Sequence, residues 1–259
     1  MEERLLYALV FVFGAIIGSF LNVCIVRIPK NQSIVFSGSK CVSCGKGLSA
    51  IDLVPLLSFL WLRGKCRRCG ALVSWRYFIV ELLTGLIFVM LFTRFGFEWR
   101  TIIYFILSGI LIVASFIDYE HRIIPNGLII AGFAVALPAN LFGMNISFLD
   151  GVYGLIAGAG ILGVIALISL FLLKKEGMGG GDIKLMAMAG LFIGWEITLL
   201  SLMLAIYAAA IVILLLIAFK VLKRGDHIPF GPFLSFGVTI SLLFSNEIIY
   251  WYYRIFLLQ

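Results

Sequence analysis

Apolar runs long enough to cross a lipid bilayer recur along almost the whole chain, and they restrict its fold more than any other feature. A helix needs about 20 mostly apolar residues to cross a hydrocarbon layer roughly 30 Å thick. The segments predicted to span are 5–26, 77–95, 99–117, 124–143, 151–173, 183–194, 197–219 and 230–250. Because 63% of the 259 residues are hydrophobic, little sequence is left for a separate soluble core. The expected fold class is therefore an all-α polytopic membrane protein with about eight transmembrane helices.

The first apolar run, residues 5–26, is predicted to be a retained span rather than a secretory signal. It is longer than the apolar region of a signal peptide, it lacks an A-x-A cleavage site, and Glu2 and Glu3 precede it. The sixth run, residues 183–194, is short for a span. Neighbouring helices must therefore surround it and satisfy its backbone.

Lysine and arginine are distributed unevenly between the two sides of the predicted membrane. If the amino terminus is outside, the inside segments are 27–76, 118–126, 174–184 and 220–229. These segments hold 16 of the 20 basic residues, which is the asymmetry that the positive-inside rule requires. The same asymmetry explains the net charge of +7, so no nucleic-acid partner is predicted. Asp118 and Asp182 then lie at the same cytoplasmic face.

Four of the five cysteines form two CxxC pairs in the one long polar segment. The pairs are Cys41–Cys44 and Cys66–Cys69, with 21 residues between them and a glycine after each. Four thiolates in this spacing are typical of a zinc ribbon. A small segment with little apolar core needs such a bound metal ion to stabilise its fold. Disulfides or free thiols are the alternative, although a reducing cytoplasm disfavours disulfides. Cys24, within the first span, is interpreted as a packing residue.

Basic residues cluster around the two cysteine pairs. They are Lys40, Lys46, Lys65, Arg67 and Arg68. Their charge would offset the negative charge of four thiolates on one zinc ion, or it would face anionic lipid or an acidic substrate. The sequence does not separate these interpretations.

Two aspartates stand at the ends of apolar runs, and a carboxylate near hydrocarbon is by default a functional hypothesis. Asp118 lies in SFIDYEHRIIPN and Asp182 in GMGGGDIKL. Each alone has a structural interpretation, paired with Arg122 or Lys184 in headgroup water. Together in a poorly solvated site they would share one proton, so that one acts as base and the other as acid. That is the requirement for peptide hydrolysis by an attacking water.

Glycines and prolines lie beside these acids. Gly177 and residues 179–181 carry no side chains, so a substrate backbone can approach Asp182 closely. A phosphate-binding loop is disfavoured because the GK[ST] ending is absent. The stretch IPFGPFLSFG, residues 228–237, is either a simple helix start or a backbone surface beside the two acids.

These motifs together resemble the type IV prepilin peptidases, the bifunctional leader peptidases and N-methyltransferases within the GxGD class of membrane aspartyl proteases. The resemblance covers nearly the full chain. Besides the paired CxxC knuckles, it is carried in order by GSFLNVCIVRIP (18–29), PLLSFLWLRGKCRRCG (55–70), SWRYFIVELLTG (74–85), FIDYEHRIIPN (116–126), GMGGGDIKLMAMAGLFIGW (177–195) and PFGPFL (229–234). One local departure is Leu53, where many relatives have asparagine after the acid that matches Asp52.

The resemblance implies a catalytic pair of Asp118 and Asp182, and a zinc ion held by the four cysteines of the two knuckles. It implies substrates of the prepilin and pseudopilin class, cut after the glycine that ends a short basic leader. The new amino terminus, usually phenylalanine, would be methylated from S-adenosylmethionine. The setting implied is the bacterial inner membrane, with the zinc segment and the active site at the cytoplasmic face. The predicted parts are a first transmembrane helix (1–26), a methyltransferase-associated zinc segment (27–76) and a membrane peptidase domain (77–259).

No nucleotide-binding domain is recognisable for the methyl donor. The polar segment is too small for a doubly wound α/β domain and has no GxGxxG motif. Glu81, an acid just inside the second span, is a hypothetical ligand for the substrate amine or the cofactor, and a structural role at the helix end is the alternative.

Two other classes of function are weighed against the peptidase. The first is an ion or proton-coupled transporter whose aspartates bind the ion and whose zinc segment regulates it. Inverted repeats in the sequence would favour a transporter, and none is found. The second is a membrane-anchored docking module for nucleic acid or protein, which leaves the aspartates unexplained.

Overall fold

The computed structural model describes residues 2–35, 38, 40, 41, 43–174, 178–221 and 228–256. Its helices are α1 (Glu2–Arg27), α2 (Leu57–Trp61), α3 (Trp75–Phe95), α4 (Trp99–His121), α5 (Asn126–Leu141), α6 (Phe148–Leu173), α7 (Gly180–Ala218) and α8 (Gly231–Phe256). Two 3-10 turns, Ile28–Lys30 and Ala50–Leu53, lie within the polar segment. Within the described ranges, strand-like pairing is limited to two isolated antiparallel bridges, Lys40–Gly47 and Lys65–Leu72. The all-α prediction is confirmed.

Six described helices are long and apolar enough to cross a membrane, and they are α1, α3, α4, α6, α7 and α8. The chain is thus a multi-pass membrane protein. α5 is apolar but has only 16 residues, and it corresponds to the predicted span 124–143. The predicted spans 183–194 and 197–219 are the two halves of α7, which is interrupted at Gly194 (φ 79°, ψ 172°). The eight predicted segments therefore recur as seven helices. Two of these are interrupted, α7 at Gly194 and α8 at Phe244 (φ −128°, ψ 18°).

The chain divides into two compact units. The first contains the residues up to Thr101 together with Ser108–Val113, and the second contains Ile102–Leu107 together with the residues from Ala114 onward. In the first unit α1 packs along α3 through glycines. A Cβ on Gly14 would lie 2.9 Å from the Gly85 Cα, and one on Gly18 would lie 2.7 Å from the Glu81 Cα. Only small residues permit such an approach of two helix backbones. The predicted domain boundaries at residues 26 and 76 stay a prediction.

In the second unit the first half of α7 is enclosed by protein. Residues 185–194 are buried at every position. α6 supplies the closest neighbour, because Gly154 lies against Gly190 and Gly158 lies against the Met186 carbonyl. A short helical segment can sit at membrane depth only where protein surrounds it, and the packing of α6 and α7 meets this condition.

Candidate functional site

Asp118 lies in the last turn of α4, beside the start of α8. The helix ends at His121. The next residue, Arg122, has φ 56°, and its N–H donates to the Asp118 carbonyl at 2.8 Å. The Asp118 side chain is buried, with the residue 6% exposed, and its Oδ2 accepts the Gly231 N–H at 2.9 Å. A Cβ on Gly231 would lie only 2.7 Å from that oxygen, so glycine is what allows the amide to come close. The segment predicted as a helix start or a backbone surface is both: it begins α8 and presents an amide to Asp118.

Asp182 lies in the first turn of α7, directly after the glycine cluster. Gly179 is the residue before the helix, and its carbonyl accepts the Asp182 N–H at 3.1 Å. Asp182 is 9% exposed. A Cβ on Gly179 would lie 3.4 Å from Asp182 Oδ2, so glycine at this position leaves the carboxylate less covered than a larger residue would. Gly177, the first glycine of the predicted cluster, lies outside the described residues.

The two carboxylates are brought together within the second unit, close enough for the charge of Asp118 to act on Asp182. Lys184, considered above as a structural partner of Asp182, donates instead to Asn126 Oδ1 at 3.1 Å. Two buried acids whose charges interact do not ionise independently, because the first negative charge disfavours formation of the second. Such a pair can hold one proton and can therefore act as a base and an acid at once.

The four cysteines of the two knuckles form one cluster. Their Sγ atoms all lie within 4.8 Å of one another, and Cys41 and Cys69 are 3.9 Å apart. Sulfurs at the corners of a tetrahedron around zinc are about 3.8 Å apart, since each Zn–S bond is about 2.3 Å. A disulfide would require about 2.05 Å, so the observed separation fits metal ligands rather than a bridge.

Both knuckles use the same local fold. In the first, the Gly45 N–H donates to the Cys41 carbonyl at 2.9 Å, and in the second the Gly70 N–H donates to the Cys66 carbonyl at 2.9 Å. Each glycine has a positive φ, 68° at Gly45 and 71° at Gly70. The glycine after each CxxC pair is thus required by the turn that directs its two thiols inward.

Two thiols of this cluster differ in acidity because their surroundings differ. Hydrogen bonds from the backbone of Cys44 and Ser43 lower the pKa of Cys41 to about 6. Although the backbone of Ala71 favours the Cys69 thiolate, burial and the three neighbouring thiols raise the pKa of Cys69 to about 11. A divalent cation between the sulfurs would offset the repulsion between neighbouring thiolates, so the four thiols fit a zinc site.

Asp52 joins the 3-10 turn to the second knuckle. Its Oδ1 pairs with the Arg67 Nε at 2.8 Å, and its Oδ2 accepts the Ser49 hydroxyl at 2.6 Å. The Ser49 hydroxyl and amide, helped by Arg67, hold the pKa of Asp52 below its usual range. Arg67 was predicted to balance the thiolates or to face lipid or substrate. The structure gives it an ion pair within the segment.

Glu81 is buried in α3 and contacts the polar segment, not open solvent. It is 7% exposed, and its Oε2 accepts the Leu56 N–H at 2.8 Å. The Ser19 hydroxyl of α1 also bonds to it. Leu56 is held at φ 61°, a strained backbone for leucine, where its amide bonds to the carboxylate.

Asn22, which sequence reasoning did not single out, lies one helical turn after Ser19, the α1 residue that bonds to Glu81. Its Nδ2 donates to the Tyr77 carbonyl at 3.1 Å, one helical turn before Glu81. Its Oδ1 is buried and accepts no hydrogen bond from the described residues, and the residue is 1% exposed. The only sequence signal was an amide inside an apolar run, four residues after Gly18.

Two family models match consecutive parts of the chain. Residues 12–95 match the bacterial peptidase A24 N-terminal domain, and residues 105–215 match the type IV leader peptidase family. The first match contains the cysteine cluster and Glu81, and the second contains Asp118 and Asp182. No solved structure matches the chain.

Curated relatives match over nearly the full length. A protein of Aeromonas hydrophila is 34% identical, with 98% of this chain and 96% of the relative covered. One of Pseudomonas aeruginosa is 33% identical over 91% and 89%, and one of Bacillus subtilis is 31% identical over 95% and 98%. Each is named prepilin leader peptidase/N-methyltransferase. Both family models match in order, and these relatives are at least 31% identical over at least 91% of the chain. The chain therefore belongs to the type IV leader peptidase family.

Proposed function

We propose that this chain cleaves the leader from type IV prepilins and pseudopilins with Asp118 and Asp182, and then N-methylates the exposed residue. The observation that carries the proposal is the buried aspartate pair inside the region that matches the leader peptidase family. The names of the relatives support both activities. No observation favours the transporter alternative.

Cleavage follows from what two acids with one shared proton can do. The ionised carboxylate takes a proton from water as the water attacks the scissile carbonyl. The protonated carboxyl donates its proton to the carbonyl oxygen as the tetrahedral diol forms. When the diol collapses, the carboxyl that took the proton from water gives it to the leaving amine, and a diol hydroxyl returns a proton to the other carboxylate. The pair therefore ends with one shared proton, as it began. The Gly231 amide fixes Asp118, and the glycines before Asp182 leave room for an extended peptide.

The direct test uses a synthetic precursor and S-adenosylmethionine with purified enzyme in lipid. Mass spectrometry of the products should find the leader removed and one methyl group added to the new amino terminus. Ion flux in proteoliposomes without any cleavage would reject the peptidase and favour transport.

A methyl group on Gly231 should disturb the aspartate pair. Gly231→Ala would place a Cβ 2.7 Å from Asp118 Oδ2, closer than the two atoms can pack, so the carboxylate or the start of α8 must move. Cleavage is expected to slow by about tenfold or more, since a displacement of roughly 1 Å has large effects on such chemistry. Gly127→Ala is the matched control, because a Cβ there meets no atom within 4 Å. Equal rates for both variants would contradict the assigned role of Gly231.

Zinc is proposed to be held by Cys41, Cys44, Cys66 and Cys69. It would act as a structural ion, since four thiolates leave no open coordination position for substrate. S-adenosylmethionine, when bound, supplies the methyl group.

Glu81 and Asn22 are proposed to bind the amine in the methyl-transfer reaction. The carboxylate and the unpartnered Asn22 Oδ1 are buried acceptors, and a buried acceptor requires a donor. A primary ammonium offers three N–H groups, and both the new amino terminus and S-adenosylmethionine carry one. The Leu56 amide and the Ser19 hydroxyl hold the carboxylate in place.

Glu81→Gln should separate the two activities. Glutamine keeps an acceptor for the Leu56 N–H but removes the negative charge, so methylation should fall by about a hundredfold while leader cleavage stays within about twofold. Direct binding provides a second readout: the wild type should prefer a peptide with a free amino terminus over its acetylated form, and the variant should not. The control is Glu98→Gln, an exposed acid beside Arg100. Unchanged methylation and unchanged preference in Glu81→Gln would remove Glu81 from the site.

The chain is proposed to lie in the bacterial inner membrane with its amino terminus outside. The distribution of 16 basic residues to one side and 4 to the other supports this orientation. The zinc segment and the aspartate pair would then both be cytoplasmic. A cysteine introduced at Phe97 should react with an impermeant maleimide added outside intact cells, and protection of that cysteine would reverse the orientation.

A further inference from the structure

The interruption of α7 at Gly194 leaves backbone groups at a buried helix end without their helical partners. Gly194 has φ 79°, a left-handed conformation that favours glycine, and the residues before it are fully enclosed. A helix end leaves carbonyls without partners, and a new helix start leaves N–H groups without partners. Where such a group is buried, it must find a bond within the protein.

Three side chains from the α5–α6 region supply these bonds. Asn140 Nδ2 donates to the Leu191 carbonyl at 2.7 Å, and Asn145 Nδ2 donates to the Phe192 carbonyl at 2.7 Å. On the other side of the break, Asp150 Oδ1 accepts the Trp195 N–H at 3.3 Å. We call Asn140, Asn145 and Asp150 the break clamp.

The two asparagines of the break clamp form a fixed unit. Asn145 Nδ2 also donates to Asn140 Oδ1 at 3.2 Å, so each amide orients the other. Both residues are buried, 3% exposed for Asn140 and 6% for Asn145. Buried amides in a connected network have one preferred arrangement, because any rotation breaks several bonds at once.

The consequence for Asp182 comes from helix geometry. Asp182 stands nine residues before Leu191, about 14 Å along the same straight half-helix. Successive carbonyls differ in direction by about 100°, so holding two of them fixes the rotation of the half-helix about its axis. A rotation of about 20° would move a carboxylate that projects beyond the 2.3 Å radius of the Cα atoms by roughly 2 Å. That displacement exceeds what a reacting pair tolerates.

We propose that Asn140 and Asn145 are positioning residues for leader cleavage, acting through the backbone of α7 to hold Asp182 in register with Asp118. This inference rests on the proposed catalytic role of Asp182. It gives the interruption at Gly194 a function. The break frees carbonyls that can accept side-chain hydrogen bonds, and they belong to a half-helix whose other end carries Asp182.

The test measures cleavage by Asn140→Ala and Asn145→Ala in lipid, with kcat expressed per molecule that binds an uncleavable labelled precursor. Each variant is expected to lower kcat by about tenfold or more and to leave KM within about threefold, because substrate contacts are unchanged. Methylation of a peptide that already lacks its leader should stay within about twofold in the same preparations. Because kcat is counted per binding-competent molecule, partial misfolding does not imitate the result.

Thr198→Val is the matched control at the same break. Thr198 is buried, and its hydroxyl donates to the Gly194 carbonyl at 2.6 Å, but it belongs to the second half of α7. It should lower thermal stability while kcat stays within about twofold. The inference is overturned if both asparagine variants keep the wild-type kcat, or if Thr198→Val lowers kcat as much as they do. Asp182→Asn in the same series distinguishes failure of this inference from failure of the proposed function. An active Asp182→Asn enzyme would reject the proposed function itself.

Discussion

Leader cleavage is expected to fall by about a thousandfold or more when either Asp118 or Asp182 is replaced by asparagine. The amide has nearly the shape of the carboxylate, and at Asp118 it still offers an oxygen to the Gly231 N–H. It can neither take a proton from water nor give one to the leaving amine. The loss should therefore appear in kcat, measured by single-turnover cleavage with mass spectrometry, and binding of the precursor should persist.

The double replacement provides a sharper form of this result. Two groups that act on one proton are not additive, so Asp118→Asn with Asp182→Asn should be about as slow as either single variant. Methylation of a peptide without leader should remain in all three enzymes. Glu120→Gln, an exposed acid two residues after Asp118, is the control and should cleave normally. A single variant that retained a tenth of the wild-type rate would refute the shared-proton mechanism.

Removal of zinc is expected to unfold the polar segment. Among its described residues between 40 and 72, only Gly64 and Cys66 are buried, so almost no apolar core remains to hold the two knuckles together. A structural zinc ion contributes about 10–16 kcal/mol in comparable small sites, far more than the Asp52–Arg67 ion pair at the surface of the segment. Cys66→Ser, or a strong chelator, should raise the rate of proteolysis in this segment by about a hundredfold and abolish methylation.

Leader cleavage should survive zinc loss much better than methylation does, since the aspartate pair is built from α4, α7 and α8. One zinc per chain is expected in the wild type by elemental analysis. Cys24→Ser is the control, because Cys24 is buried in α1 outside the cluster and should not alter the metal content. A metal-free preparation whose segment resists protease would show that the cluster does not depend on zinc.

The sequence by itself determined the features that depend on short stretches of chain. Span length, the CxxC spacing and the basic asymmetry are local properties, so the helical membrane fold and the cysteine cluster were predictable. The aspartates were found because charge beside apolar runs is costly wherever the chain folds. The four-residue spacing of Gly14 and Gly18 is also a local property that permits close helix packing, and both glycines meet α3 closely.

Only the tertiary structure decided which distant residues meet. The Asn140 bond to Leu191 joins positions 51 residues apart, and the Leu56 bond to Glu81 joins positions 25 apart. Nothing in the local sequence marks a buried asparagine as the partner of a particular carbonyl, since that choice depends on where a helix breaks and what packs beside it. The sequence therefore singled out the acids that are proposed to react, and the packing of α5, α6 and α7 determines how the half-helix that carries Asp182 is held. The physical reason is that a side chain's chemistry is intrinsic, whereas its alignment is a property of the assembled backbone.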